Sequence, residues 1–181
     1  MSSTLSGTHP IPRPQPGEFI PYYGRYIDQV AGEDAGAALA SQIVETLAAL
    51  RPLDEPRALH RYAPGKWSVK EVLGHVMDGE RVFAYRALRF ARKDETPLPG
   101  FDETEWAPAG NFDRRPLAEL LDEFAAVRAA TLQMFRGFEP EALTRMGKAN
   151  DSPVSVRALA WIIAGHELHH RGLLLERYGI R

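Results

Sequence analysis

The sequence predicts an all-α protein, a bundle of four helices preceded by a Pro-rich arm. Three observations carry this expectation. Four segments place their apolar residues at spacings of three and four, as amphipathic helices do, and no stretch shows the sustained alternation of a half-buried strand. Those segments are bounded by residues suited to helix capping or helix breaking. The 181 residues suffice for one substantial core, and no shift in composition divides them. Residues 1–30 read as the N-terminal arm and 31–181 as a single helical domain.

The elements follow in order. Residues 1–20 hold four prolines, so the arm is expected to lack helix and to lie over the surface, with Tyr22, Tyr23 and Tyr26 pinning its end. From Asp34, "DAGAALASQIVETLAALR" puts Leu39, Ile43, Leu47 and Leu50 on one side, and Pro52 closes the segment. The second helix lies in "WSVKEVLGHVMDGERVFAYRALRFAR". Ser68 and Glu71 there form a capping box, and Val69, Val72, Leu73, Val76, Phe83 and Leu88 supply the apolar stripe. Residues 92–115, rich in Pro, Gly and Asp, read as a long connection, and connections of that length often carry function. Pro116 suits the first turn of a third helix, whose Leu117, Leu120, Leu121, Phe124, Val127, Thr131 and Phe135 share a side. Ser155 caps a last helix that stops at Gly179.

Composition narrows the function. A net charge of −2, with acidic and basic residues interspersed, offers no polycationic face for phosphate neutralisation, so nucleic acid is not an expected partner. No apolar run approaches the roughly 20 residues of a membrane span, and the first residues are not signal-like, so a cytoplasmic location is expected. With no cysteine, any metal must be held by nitrogen and oxygen.

The last helix contains "HELHH", which satisfies the HExxH pattern of zinc proteases: His166 and His170 one turn apart, with Glu167 as the nominal general base. A third ligand is needed. Downstream there is only Glu176 on the same helix, and the metzincin continuation is absent. Stepping along the last helix, His166 and His170 continue the apolar stripe, where an unsatisfied imidazole would cost on the order of 1–3 kcal/mol. On the second helix, His75 shares a face with Val72, Val76, Gly79, Val82 and Phe83, with Gly74 and Gly79 leaving space around it. His75 is therefore the upstream third ligand. One buried histidine is ordinarily a hydrogen-bonded core residue, but a pair plus a third on another helix is better explained by a shared cation. His169 falls about 100° around the helix from His170 and reads as peripheral.

Plainer readings serve the other conspicuous residues. Trp67 and Trp161 read as packing, whereas Trp106 equally suits the roof of a pocket. Asp78 either orients His75 or pairs with Arg81, and the series Arg81, Arg86, Arg89 and Arg92 reads as a solvated helix face.

Two stretches, "APGKWSVKEVLGHVMDGERVFAYRALRFAR" and "SVRALAWIIAGHELHHRGLLLERY", resemble the second-helix and last-helix patterns of the DinB superfamily, from about Tyr22 onward. That superfamily includes the bacillithiol transferases and resembles the mycothiol-dependent maleylpyruvate isomerase. The resemblance implies an antiparallel four-helix bundle with a divalent metal held by three histidines, which map onto His75, His166 and His170. It also implies that the HExxH match is coincidental, that a homodimer is expected, and that a low-molecular-weight thiol is the expected cosubstrate. Three readings then compete: transfer of that thiol to a small-molecule electrophile, hydrolysis by metal-held hydroxide with Glu167 as base, or no catalysis in a metal-binding stress protein. Three-nitrogen sites accept zinc, nickel or iron.

Overall fold

The computed structural model describes residues 9–180. Its helices are α1 (Pro21–Ile27), α2 (Ala35–Leu50), α3 (Glu55–Ala58), α4 (Val69–Ala91), α5 (Glu103–Ala109), α6 (Leu117–Arg136), α7 (Pro140–Leu143) and α8 (Val156–Tyr178), with a 3₁₀ turn at Phe112–Arg114. The strands β1 (Met146–Ala149) and β2 (Ser152–Ser155) pair as an antiparallel hairpin. The long helices α2, α4, α6 and α8 form the four-helix bundle.

Their ends agree with the local chemistry. Asp34 accepts from the Gly36 amide at 2.9 Å to start α2. Ser68 and Glu71 complete the capping box of α4, with Ser68 N donating to Glu71 Oε2 at 2.8 Å and Glu71 N to Ser68 Oγ at 3.0 Å. Ser155 Oγ accepts from Ala158 N at 3.0 Å to begin α8, and Gly179, with φ of 64°, closes it.

In the bundle α4 packs on α8 and α6, and α2 packs on the same two, so α2 and α4 stand diagonally. Two apolar clusters fill the ends. One holds Leu39 of α2, Phe83, Ala87 and Phe90 of α4, Phe135 of α6 and Leu159 to Ala164 of α8. The other holds Leu50, Leu73, Leu120, Phe124, Leu174 and Tyr178. The start of α2 and α8 thus meets the end of α4 and α6, so α2 and α8 run one way and α4 and α6 the other. The resemblance implied an antiparallel bundle, but only α4 with α8 and α2 with α6 are antiparallel neighbours, whereas α4 with α6 and α2 with α8 are parallel ones. The chain between α4 and α6 must therefore travel the bundle's length, about 30 Å at 1.5 Å per residue. That requirement explains the length of the 92–115 connection.

Between the apolar clusters lies a polar layer to which every long helix contributes: Gln42 and Thr46, His75 and Glu80, Arg128 and Thr131, and His166, Glu167 and His170, all buried.

Three parts depart from the sequence expectation. Residues 21–27, read as part of the arm, form α1, which packs on α8 where a Cβ at Gly165 would come within 2.1 Å of the Tyr26 carbonyl oxygen. The preceding segment is tied down: Ile11 is buried, and Trp161 Nε1 donates to the Ile11 and Pro12 carbonyls at 3.1 and 3.0 Å. The 92–115 connection carries α5 and the 3₁₀ turn, and Leu98 pairs with the hairpin through Leu98 N to Lys148 O at 2.9 Å and Asn150 N to Leu98 O at 3.0 Å. The hairpin itself turns on Asn150 and Asp151, both left-handed at φ of 49° and 57°, the conformation a two-residue type I′ loop requires. No helix among the described residues is long and apolar enough to cross a membrane.

Candidate metal centre

The capping box at Ser68 sets the phase of α4, and that phase turns His75 inward against α8. There it meets His166 and His170, which lie one turn apart on the buried face of α8. His166 Nε2 sits 2.9 Å from His75 Nε2 and 3.1 Å from His170 Nε2, and the three candidate donor atoms lie within 4.8 Å of one another. Gly79 makes this approach possible, since a Cβ there would lie 3.0 Å from His166 Cε1. Gly74 instead leaves room for the Phe112 ring rather than for His75.

Aromatic rings enclose the cluster. Trp67 lies against His75 with ring centroids 4.8 Å apart, Tyr26 meets His166 edge-on at 5.5 Å, and Phe83 meets it at 6.1 Å. Burial, with a smaller contribution from His169, pushes the His75 imidazole down to about 4. Burial and the neighbouring His75 and His169 push His166 down to about 3, and burial with the other histidines lowers His170 as well. All three rings are therefore neutral at pH 7, the form that offers a lone pair to a metal.

Protons alone do not satisfy this cluster. An imidazole Nε2 has either one proton or one in-plane lone pair, so His166 Nε2 completes at most one of its two contacts. Among the described residues His170 Nδ1 also has no hydrogen-bond partner. A cation shared by the three Nε2 lone pairs removes the conflict at His166 Nε2, while His170 Nδ1 keeps its proton without a partner among the described residues. The donor set fits a divalent transition metal with coordination positions to spare.

Glu167 lies elsewhere in the polar layer. Its Oε1 accepts from Thr46 Oγ1 at 2.6 Å and its Oε2 from Arg128 Nη2 at 2.7 Å. Arg128 is itself 1% exposed and bridges the bundle, donating to Glu80 of α4 at 2.8 to 3.2 Å and to the Leu39 carbonyl of α2 at 2.8 Å. Burial alone would lower the Arg128 guanidinium, but Glu167 and Glu80 hold it above its ordinary value. Asp78 accepts from Arg81 Nη1 at 3.4 Å. His169 is half-buried against Tyr26, with centroids 5.5 Å apart.

A cavity of about 340 Å³ opens beside the cluster, lined by His75 and His166 together with Tyr22, Tyr23, Arg86, Phe101 and Ser152, among others. The 92–115 connection contributes Gly100, Phe101 and Glu103 to it, and the hairpin Asn150 and Ser152. Sequence reasoning missed Arg86, which is 3% exposed rather than part of a solvated face. Its position eleven residues after His75, three helical turns and nearly the same face, was the available signal. Trp106 packs on Phe101 at 4.9 Å and lines an adjoining cavity. A larger groove of about 500 Å³ between α2 and the end of α8 touches none of the three histidines, so size alone would misplace the site.

A sequence profile of the DinB superfamily matches residues 38–174. A protein of Oceanobacillus iheyensis, provisionally named a metal-dependent hydrolase, is 29% identical over 111 residues. That match covers 60% of this chain and 63% of the relative, so it spans less than two thirds of the relative's length. Among solved structures, YfiT from Bacillus subtilis superposes with a TM-score of 0.71 at 16% identity, covering 93% of this chain and 94% of that one. YfiT is described as a probable metal-dependent hydrolase with an unusual four-helix bundle topology. At that identity the likeness speaks for the fold alone.

Proposed function

Because this chain belongs to the DinB superfamily, we propose that it is a metal-dependent enzyme centred on His75, His166 and His170, joining a low-molecular-weight thiol to an electrophilic small molecule. When bound, a zinc, nickel or iron ion held by three neutral imidazoles keeps its full charge and acts as a Lewis acid that acidifies a thiol or water. The chain's own residues do the rest. Trp67, Tyr26 and Phe83 fix the histidine rings and exclude bulk water. The observation that carries the thiol reading is the cavity, whose Tyr22, Tyr23, Ser152 and Arg86 offer hydroxyl and cationic groups to a polar organic substrate beside the histidines.

Hydrolysis is the second reading, favoured by the name given to the Oceanobacillus iheyensis relative. It calls for a base near the attacking water. The residue that HExxH nominates, Glu167, has both oxygens engaged by Thr46 and Arg128. A thiol, more acidic than water, has less need of such assistance. The open cavity also argues against a non-catalytic role.

The test is a panel of low-molecular-weight thiols with 1-chloro-2,4-dinitrobenzene, run beside p-nitrophenyl acetate and a peptide without thiol. Metal- and thiol-dependent conjugation, lost in His75→Ala, is expected. Metal-dependent ester or peptide cleavage with no thiol requirement would replace transfer by hydrolysis.

A further inference from the structure

The arginines of α4 divide into two kinds. Arg81 pairs with Asp78 and Glu123, and Arg89 with Asp94, all partly open to solvent. Arg86 is 3% exposed. Among the described residues its polar contacts are the Pro99 carbonyl, to which Nη2 donates at 2.7 Å, and the Tyr23 hydroxyl, and no carboxylate pairs with it. A guanidinium has five N–H donors and a charge it cannot shed, and burying that charge without an anion is costly. Burial accordingly lowers the Arg86 guanidinium from its ordinary value, offset only in part by Tyr23.

Arg128 shows how this chain neutralises a buried arginine that serves the fold: two carboxylates and a carbonyl surround it. Arg86 has no such partners, yet it faces a cavity. It follows His75 by three turns on nearly the same face of α4, about 16 Å along the axis, and α-helical side chains lean back toward the helix N-terminus, here toward His75. Both residues line the same cavity. The Phe83 and Phe101 rings flank the guanidinium carbon at 5.7 and 6.0 Å, which gives an anion there a partly apolar wall and strengthens its attraction to the charge.

We propose that this cavity binds an organic carboxylate, with Arg86 as its counter-ion, so that the electrophilic substrate is held with its reactive end toward the histidines. The inference rests on reading the cavity as the substrate pocket of a metal-dependent enzyme. A carboxylate fits better than a phosphate: among the described lining residues Arg86 is the one arginine or lysine, and Glu103 opposes a second negative charge. The planar fork of a guanidinium matches a carboxylate's two oxygens.

The experiment titrates metal-free protein at pH 7 with benzoate and with its neutral analogue benzamide, followed by NMR. Wild type is expected to prefer benzoate. In Arg86→Met that preference disappears, benzoate affinity falls roughly ten- to a hundredfold as a charge-assisted contact is lost, and the melting temperature is unchanged or raised because an uncompensated buried charge has gone. Equal affinity of wild type for the two probes overturns the proposal, as does a benzoate preference that survives Arg86→Met. Should Arg86→Met fail to fold, Arg86→Gln, which keeps a donor for the Pro99 carbonyl, takes the same reading. A benzoate preference in protein that binds no metal would sink the enzyme reading and leave the anion site, and bound metal without the preference would do the reverse.

Discussion

The three histidines titrate far from their ordinary range, and the direction gives a test at the residue scale. In the unfolded chain each gains a proton near 6.5, whereas folding lowers His75 to about 4 and His166 to about 3. Between those values the unfolded state binds more protons, so stability of the metal-free protein falls as pH drops from 6.5 through 4 toward 3, and His170, also lowered, adds to the fall. Thermal unfolding across this range should show that slope, and His75→Ala should make it shallower; a flat wild-type profile would contradict the burial argument. Glu167 supplies a second test. Glu167→Gln should keep the metal and retain activity within about an order of magnitude, since no base role is assigned to it. It should also lower stability by roughly 1–3 kcal/mol in urea unfolding, because a charged partner of Arg128 is lost. A loss of activity above about a hundredfold with metal intact would restore the carboxylate as base. The histidines were legible because helical periodicity alone puts His166 and His170 on one stripe. The partners of Glu167 were not, because Thr46 and Arg128 lie 121 and 39 residues away.

At the scale of elements, the long helices were readable from their stripes and caps, while the short ones were not. Seven residues of "PYYGRYI" make under two turns, too few to show a period, and α1 is held by what it packs on rather than by its own pattern. The hairpin did announce itself weakly, in an Asn-Asp pair suited to a left-handed turn, but strands of four residues carry little alternation. Gly165 lets α1 lie close against α8, and it is the place to test that packing. Gly165→Val forces atoms against the Tyr26 carbonyl and should cost about 1–3 kcal/mol as overpacking does. Hydrogen exchange should quicken in Pro21–Ile27 before the bundle opens. Unchanged stability and exchange would show that α1 is not anchored there.

Across the whole molecule, two apolar ends clamp a buried polar layer, and that layer holds two arrangements with different roles. Arg128, with Glu80, Glu167 and the Leu39 carbonyl, ties all four long helices together through matched charges and donors. The three histidines, by contrast, converge with their hydrogen-bonding capacity unmatched, beside a cavity roofed by the crossover between the parallel helices α4 and α6. We propose that the chain forms a homodimer, for which sedimentation at micromolar concentration should give twice the 20.2 kDa of one chain; a single species of chain mass would remove it. The central claim is that the three histidines share one metal ion, and its most direct test is elemental analysis of protein purified without chelator. Wild type should carry one divalent transition metal per chain, and His75→Ala, His166→Ala and His170→Ala should each lose it while keeping a helical circular dichroism spectrum. Full metal occupancy in His75→Ala, or a wild type that takes up no metal when offered zinc, nickel and iron, would contradict the account.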